Sequence, residues 1–186
     1  MFLNKLRNNR GLSLVEMMVS LIITGVITTG ALQFFSDMNG RTLTQQDLSE
    51  MQNTCRMTMS ELETNIRMAG YKIGSHAPFE IVGDTFFVYR RGTSPVDTIC
   101  YFLQAESDVQ NVQGAHQLYR MMKKTNPAAA VPMSDHLRAL TFTRVDSANI
   151  QVDVTAESVR RDQEYTGNDG FKSYSLTELI KIRNVN

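Results

Sequence analysis

Arg10–Gly25 reads RGLSLVEMMVSLIITG. It opens on a basic residue and a glycine and then turns apolar. One carboxylate, Glu16, stands near the start of the apolar run. From Met17 to Phe35 there is no charge at all. That uncharged stretch, at about 1.5 Å of helix per residue, nearly matches the hydrocarbon core of a bilayer, and adding Leu12–Val15 makes it long enough to span. Ser20, Thr24, Thr28, Thr29 and Gln33 are polar but tolerable in such a helix, and Gly25 and Gly30 allow a neighbouring helix to come close. An unpaired carboxylate in lipid is costly, so Glu16 needs an explanation.

Around this segment lies a chain of 186 residues, enough for one domain and a membrane segment. Its formal net charge is zero, which gives no electrostatic footprint for nucleic acid. The first eleven residues, MFLNKLRNNRG, hold Lys5, Arg7 and Arg10 and no acid. That asymmetry suits a short leader retained in the cytoplasm. On the physics of the segment alone two readings stay open. One is a plain signal anchor. The other is a secretory signal cut after Ala31, where Thr29-Gly30-Ala31 supplies small residues. Glu16 sits badly with the second, because the apolar core of a secretory signal rarely holds a carboxylate.

Gly11-Leu12-Ser13-Leu14-Val15-Glu16 closely resembles the processing site of type IV pilins and pseudopilins, the class III signal peptide. The resemblance implies that a prepilin peptidase cuts between Gly11 and Leu12 and methylates the new amine of Leu12. Glu16 then becomes the fifth residue of the mature chain, in register with the family's glutamate. It implies further that Glu16 pairs with the terminal amine of a neighbouring subunit and so sets axial register. A buried carboxylate must find a partner, and misregistered packing would leave it without one. The family's commonest first mature residue is phenylalanine, and here it is Leu12.

Beyond the span, Asp37-Met38-Asn39-Gly40-Arg41 is polar and leaves open an end or a bend of the helix there. Leu48, Met51, Cys55, Met59, Leu62, Ile66 and Ala69 then recur at helical spacing and predict a second, amphipathic stretch. Met51 and Met59 read as core filling. Gly70 follows as the natural stop. A helix over 12–69 would be about 87 Å long, and one long N-terminal helix, half in the membrane and half on a head domain, is what the resemblance implies.

From Pro78 the pattern changes to short strands. Thr85–Arg90 and Thr98–Leu103 are two, and Gln117–Met122 is a weaker third. Leu137–Val145 and Ile150–Ala156 flank a hairpin turn at Asp146–Asn149, and Ser175–Val185 closes the chain. Thr125–His136, with Pro127 and Pro132, and Arg160–Gly170 read as loops. Two further stretches resemble PilW-type minor pilins: Asn65–Tyr71 at the end of the long helix, and Leu179–Asn184 in a last strand with an Arg-Asn ending. The J-type pseudopilins of type II secretion look similar there.

Cys55 and Cys100 leave two readings open. A disulfide would staple helix to sheet, and closing a loop of that length would contribute about 4 kcal/mol in the chain-entropy model. The other reading is two separate buried thiols. His76, His116 and His136 are scattered over expected loops, and no metal or nucleophile motif appears. Asp162, Glu164, Asn168 and Asp169 fit no calcium-loop template and read as a solvated loop. Arg90-Arg91 and Lys123-Lys124 read as a solvated edge.

The expected fold is α+β: a long N-terminal helix packed on an antiparallel sheet. The expected parts are a leader over 1–11, a membrane and filament-core helix over 12–36, an amphipathic helix over 37–70 and a β-rich head over 71–186. Leu14–Phe35 would be the packing surface in a filament. No cofactor, metal or catalytic residue is expected, and the role is structural rather than enzymatic. The resemblance implies a minor pilin of a type IV pilus that helps prime assembly or forms a tip complex. The nearest alternative is a J-type pseudopilin. A membrane-anchored periplasmic enzyme or binding domain is the alternative from another class. Implied partners are prepilin peptidase, other minor pilins, the major pilin and the inner membrane before assembly; nucleic acid is not expected. The implied location is a single pass through the inner membrane with a periplasmic head, then the pilus.

Overall fold

The computed structural model describes residues 13–74, 76–91, 97–106, 117–126, 128–162 and 165–184. Helix α1 runs over Leu14–Arg67. No proline interrupts it, and the Ser13 carbonyl accepts the first backbone bond, from Met17 N–H at 3.0 Å. The polar stretch Asp37–Arg41 does not end α1, and the single long helix that the resemblance implies is formed. Gly40 lacks a positive φ there, and the Thr42 hydroxyl turns back onto the Met38 carbonyl at 2.9 Å. Polar residues that bond within the helix do not compete with it.

The chain forms two compact units, Met1–Leu43 and Thr44–Asn186. The second contains the C-terminal part of α1 and seven strands: β1 Phe79–Val82, β2 Thr85–Arg90, β3 Asp97–Ala105, β4 Tyr119–Thr125, β5 Ala130–Arg144, β6 Asn149–Glu157 and β7 Ser173–Lys181. They form one antiparallel sheet in chain order, each strand paired with the next. The sheet curls. Phe86 of β2 and Phe142 of β5, three strands apart, stack at 4.5 Å. This is the expected α+β arrangement of helix and antiparallel sheet.

Met51, Cys55, Met59, Leu62, Ile66 and Ala69 are all buried against the inner face of the sheet. Burying a side chain such as Leu62 contributes about 1.5–3 kcal/mol over leaving it in water. The stripe begins one position later than expected, because Leu48 stays 41% exposed. Strand positions alternate as the pleat requires: Ile150, Val152, Val154 and Ala156 point inward from β6.

The stretch expected as a loop over Thr125–His136 is largely strand, since β5 starts at Ala130 and passes through Pro132. Pro132 lies opposite Met122, where the β4–β5 register shifts. At an irregular position the missing N–H costs no ladder bond. Pro127 lies outside the described residues. Strand β1 was missed, although Gly83-Asp84 between two apolar runs is a hairpin signal and Gly83 takes φ 57°. At Asp146–Asn149 the expected turn is present. Asp146 Oδ1 accepts from the Ala148 and Asn149 amides at 2.7 Å each.

The two stretches singled out near the helix end and the chain end meet. Arg183 N–H donates to the Arg67 carbonyl at 3.3 Å, and Asn184 Nδ2 to the Ala69 carbonyl at 3.4 Å. They satisfy carbonyls that the end of a helix leaves without partners. Gly70 turns the chain with φ 79° and donates to the Tyr89 carbonyl at 2.9 Å. A Cβ at Gly70 would collide with the Asn184 carbonyl oxygen. Gly70→Ala is therefore expected to cost about 2 kcal/mol or more, the left-handed backbone penalty plus the collision. Gly74→Ala, at φ 71° with nothing within 4 Å, should cost only the backbone part. Chemical denaturation of the full chain in detergent micelles compares the two midpoints; equal losses would remove the close approach as a cause.

Candidate assembly segment and helix–sheet junction

Residues 14–43 of α1 are exposed throughout. Leu14, Leu21, Val26, Ile27, Leu32 and Phe34 are each at least 65% exposed. Up to Phe35 no side of this stretch is polar enough to face water, and apolar surface on this scale needs cover from outside the chain. It belongs to the one helix among the described residues that is long and apolar enough to cross a membrane.

The hydroxyls of the apolar run bond within the helix. Ser20 Oγ donates to the Glu16 carbonyl at 2.7 Å, and Thr24, Thr28 and Thr29 donate to carbonyls four residues back at 2.8 Å each. Hydroxyls bonded this way carry little desolvation cost into an apolar medium. Glu16 is different, for among the described residues its carboxylate has no such donor. It stands in the first turn of α1, where the helix dipole favours a negative charge. Gly25 and Gly30 have nothing within 4 Å of where a Cβ would sit. Each costs about 1 kcal/mol of helix propensity relative to alanine, and no packing within the chain requires either. Gly11 and Leu12, the expected cleavage pair, lie outside the described residues.

Residues 6–32 match the model of the prokaryotic N-terminal methylation motif. The match supports a type IV pilin or pseudopilin. It implies processing by prepilin peptidase and association with the membrane, and it agrees with the uncovered apolar helix. No curated protein and no solved structure matches the chain.

The disulfide left open between Cys55 and Cys100 is not formed; both are free thiols. Cys55 faces β6 and β7, with Sγ 3.5 Å from the Tyr174 carbonyl and 3.8 Å from that of Val154. Burial pushes its thiol pKa up, which disfavours the reactive thiolate. Cys100 lies between Ile99 and Tyr101 in β3, whose side chains are fully buried. Strand alternation turns Cys100 to the opposite face of the sheet, away from α1.

Other candidates resolve into structural contacts. His136 is not in a loop but in β5, at φ 60°. Its N–H donates to Glu106 Oε1 at 2.6 Å and its Nδ1 lies 3.0 Å from Oε2 of that buried carboxylate. Asp162 receives Lys172 Nζ at 2.6 Å. His116 and Glu164 lie outside the described residues. Among the described residues no three ligating side chains gather for a metal.

The sequence reading missed Glu61. It sits on α1 beside the buried stripe and reaches the sheet. Glu61 Oε1 accepts from Lys123 Nζ of β4 at 2.5 Å, from Tyr101 OH of β3 at 3.2 Å and from Asn65 Nδ2 at 2.9 Å. Arg90 of β2 adds a bond to Asn65 Oδ1 at 3.4 Å. Two of the basic residues expected at a solvated edge, Arg90 and Lys123, thus hold helix to sheet. The missed signal was a carboxylate one residue before Leu62, on the flank of the apolar stripe and within reach of the sheet.

Burial by itself would raise the Glu61 pKa, but the bonds from Lys123, Tyr101 and Asn65 outweigh it and hold the carboxyl below its usual range. Burial first, and then the Glu61 charge, push the Tyr101 hydroxyl far above its ordinary value. A depressed folded-state pKa stabilises the fold above the unfolded value, and that stability is lost as pH falls through the folded value. Glu61→Gln should therefore destabilise by about 1–3 kcal/mol at neutral pH. The gap from wild type should shrink below pH about 4, near the unfolded glutamate value. Denaturation midpoints across pH test this, and a gap constant down to pH about 3 would contradict it.

Proposed function

We propose that the chain is a PilW-like minor pilin of a type IV pilus, a structural subunit that helps prime assembly in a tip complex with other minor pilins. One observation carries the reading. Among the described residues, an exposed apolar helix carries the carboxylate of Glu16 in its first turn, inside a match to the N-terminal methylation motif. Prepilin peptidase cuts after Gly11 and methylates Leu12. Glu16, otherwise a costly charge in an apolar setting, takes the terminal amine of a neighbour as its partner. Leu14–Phe35 rests in the inner membrane, with the head in the periplasm, until the same surface packs among other subunits in the pilus. The meeting of the helix end with Arg183-Asn184 supports the PilW-like assignment, because both stretches that carry that resemblance join in one contact. The head carries no cofactor and no catalytic role.

The N-terminal mass, from cells with and without prepilin peptidase, tests processing. The expected mature chain starts at N-methyl-Leu12 only when the peptidase is present. A start at Leu32, or an intact Met1 in both strains, would sink the reading. Glu16→Gln should still be inserted and cut, yet enter filaments at least tenfold less, as expected if the lost ion pair is worth about 1.4 kcal/mol or more. Deletion of the gene should abolish pili; loss of type II secretion with intact pili would assign a J-type pseudopilin instead.

A further inference from the structure

Strand β7 closes one side of the sheet, and its pairing phase shows what it presents outward. Ser158 N–H donates to the Lys172 carbonyl at 2.8 Å, and Ile182 N–H to the Ala148 carbonyl at 2.7 Å. Between these bonds the register runs from Glu157↔Ser173 to Asn149↔Lys181 without a shift. Antiparallel pairing alternates bonded and non-bonded residues. Tyr174, Leu176, Glu178 and Ile180 therefore direct their backbone N–H and C=O groups into β6. Ser173, Ser175, Thr177, Leu179 and Lys181 direct theirs away from the sheet, and all five residues are exposed. Among the described residues no backbone partner meets these outward groups.

Exposed edges are normally blunted by short length, proline, bulges or charge. The opposite edge follows that rule, since β1 has four residues and Pro78 stands just before it. The β7 edge has nine residues, no proline and no bulge; its charges are Lys181 at one end and Glu178 on the inner face. Tyr174 and Leu176 pack on the core yet remain only half buried, as strand positions do when a further strand is missing beside them.

We propose that the β7 edge receives an extended strand from a neighbouring pilin-type subunit, a deepening of the proposed function that rests on it. The spacing of the outward groups calls for an extended backbone. The half-buried Tyr174 and Leu176 call for apolar side chains at alternate positions, and Lys181 for a carboxylate level with it. A second copy of this chain does not fit. Parallel pairing of two β7 strands in register is not possible, because the same alternate residues turn outward from both copies, whereas a parallel ladder needs an outward residue to lie opposite one that bonds the other way. Antiparallel pairing places a two-fold axis perpendicular to the sheet, which reverses one packed helix relative to the other, whereas both chains would enter the same membrane from their N-termini.

The test places benzoylphenylalanine at Ser175, Thr177 or Leu179 of the full chain, one at a time, in cells that assemble filaments. Illumination should give adducts with another protein that carries the N-terminal methylation motif. The attachment points should shift by two residues for each two-residue step along β7. Thr177→Pro removes one outward N–H and leaves the β6 ladder whole; it should cut the adducts from Ser175 and Leu179 at least tenfold. Leu179→Lys keeps every backbone group and should lower the adduct from Ser175 with the melting temperature of the full chain unchanged. Adducts with a second copy only, adducts without the two-residue period, or none at all would overturn the proposal. The N-terminal mass of the same preparation separates the two failures. A chain starting at N-methyl-Leu12 without adducts loses the strand proposal alone, and an intact Met1 loses the pilin-type reading beneath it.

Discussion

Met51, Cys55, Met59, Leu62, Ile66 and Ala69 line one side of α1, and each meets the inner face of the curled sheet. The sheet could not hold its curl without them. Its inward residues, among them Phe86, Tyr101, Val152 and Ile180, would otherwise face one another across unfilled space, and protein interiors do not tolerate voids of that size. Apolar contact is not directional, however. It would let the helix slide along the sheet by a turn at small cost. Glu61 prevents that, because it reaches Lys123 and Tyr101 from one position of the helix only.

The same helix meets a different problem in residues 14–43. There the apolar side chains find no cover within the chain, and the hydroxyls of Ser20, Thr24, Thr28 and Thr29 are folded back onto the helix's own carbonyls. A surface of this kind is stable in lipid and equally stable among other helices of its own kind. That double solubility is what the proposed passage from membrane to filament would require. Glu16 marks one end of it with a charge that lipid alone does not satisfy.

Much of the head was legible before its structure. The helical stripe ends on Gly70 where a left-handed residue is needed, and β2 has the bounds its alternation gives. The errors share a cause. Pro132 and the polar residues around it argued for a loop, but pairing with β4 across a bulge made them strand. Asp37–Arg41 left a break open, and a helix running through on both sides carries that short polar stretch with it. Local composition was overruled by hydrogen bonds to partners distant in sequence. The open choice at Cys55 and Cys100 was decided in the same way, by which face of the sheet each side chain occupies.

By itself the sequence determined the length of the uncharged apolar segment, the α+β class and the helical stripe, because each is written in local composition and periodicity and needs no partner to be read; the pilin-type reading of that segment came from resemblance. Only the tertiary structure decided that Glu61 anchors helix to sheet, that Arg183-Asn184 caps the end of α1, and that β7 is left as an open edge. These depend on pairings between positions many residues apart, and a linear pattern carries no information about which distant donor will reach which acceptor.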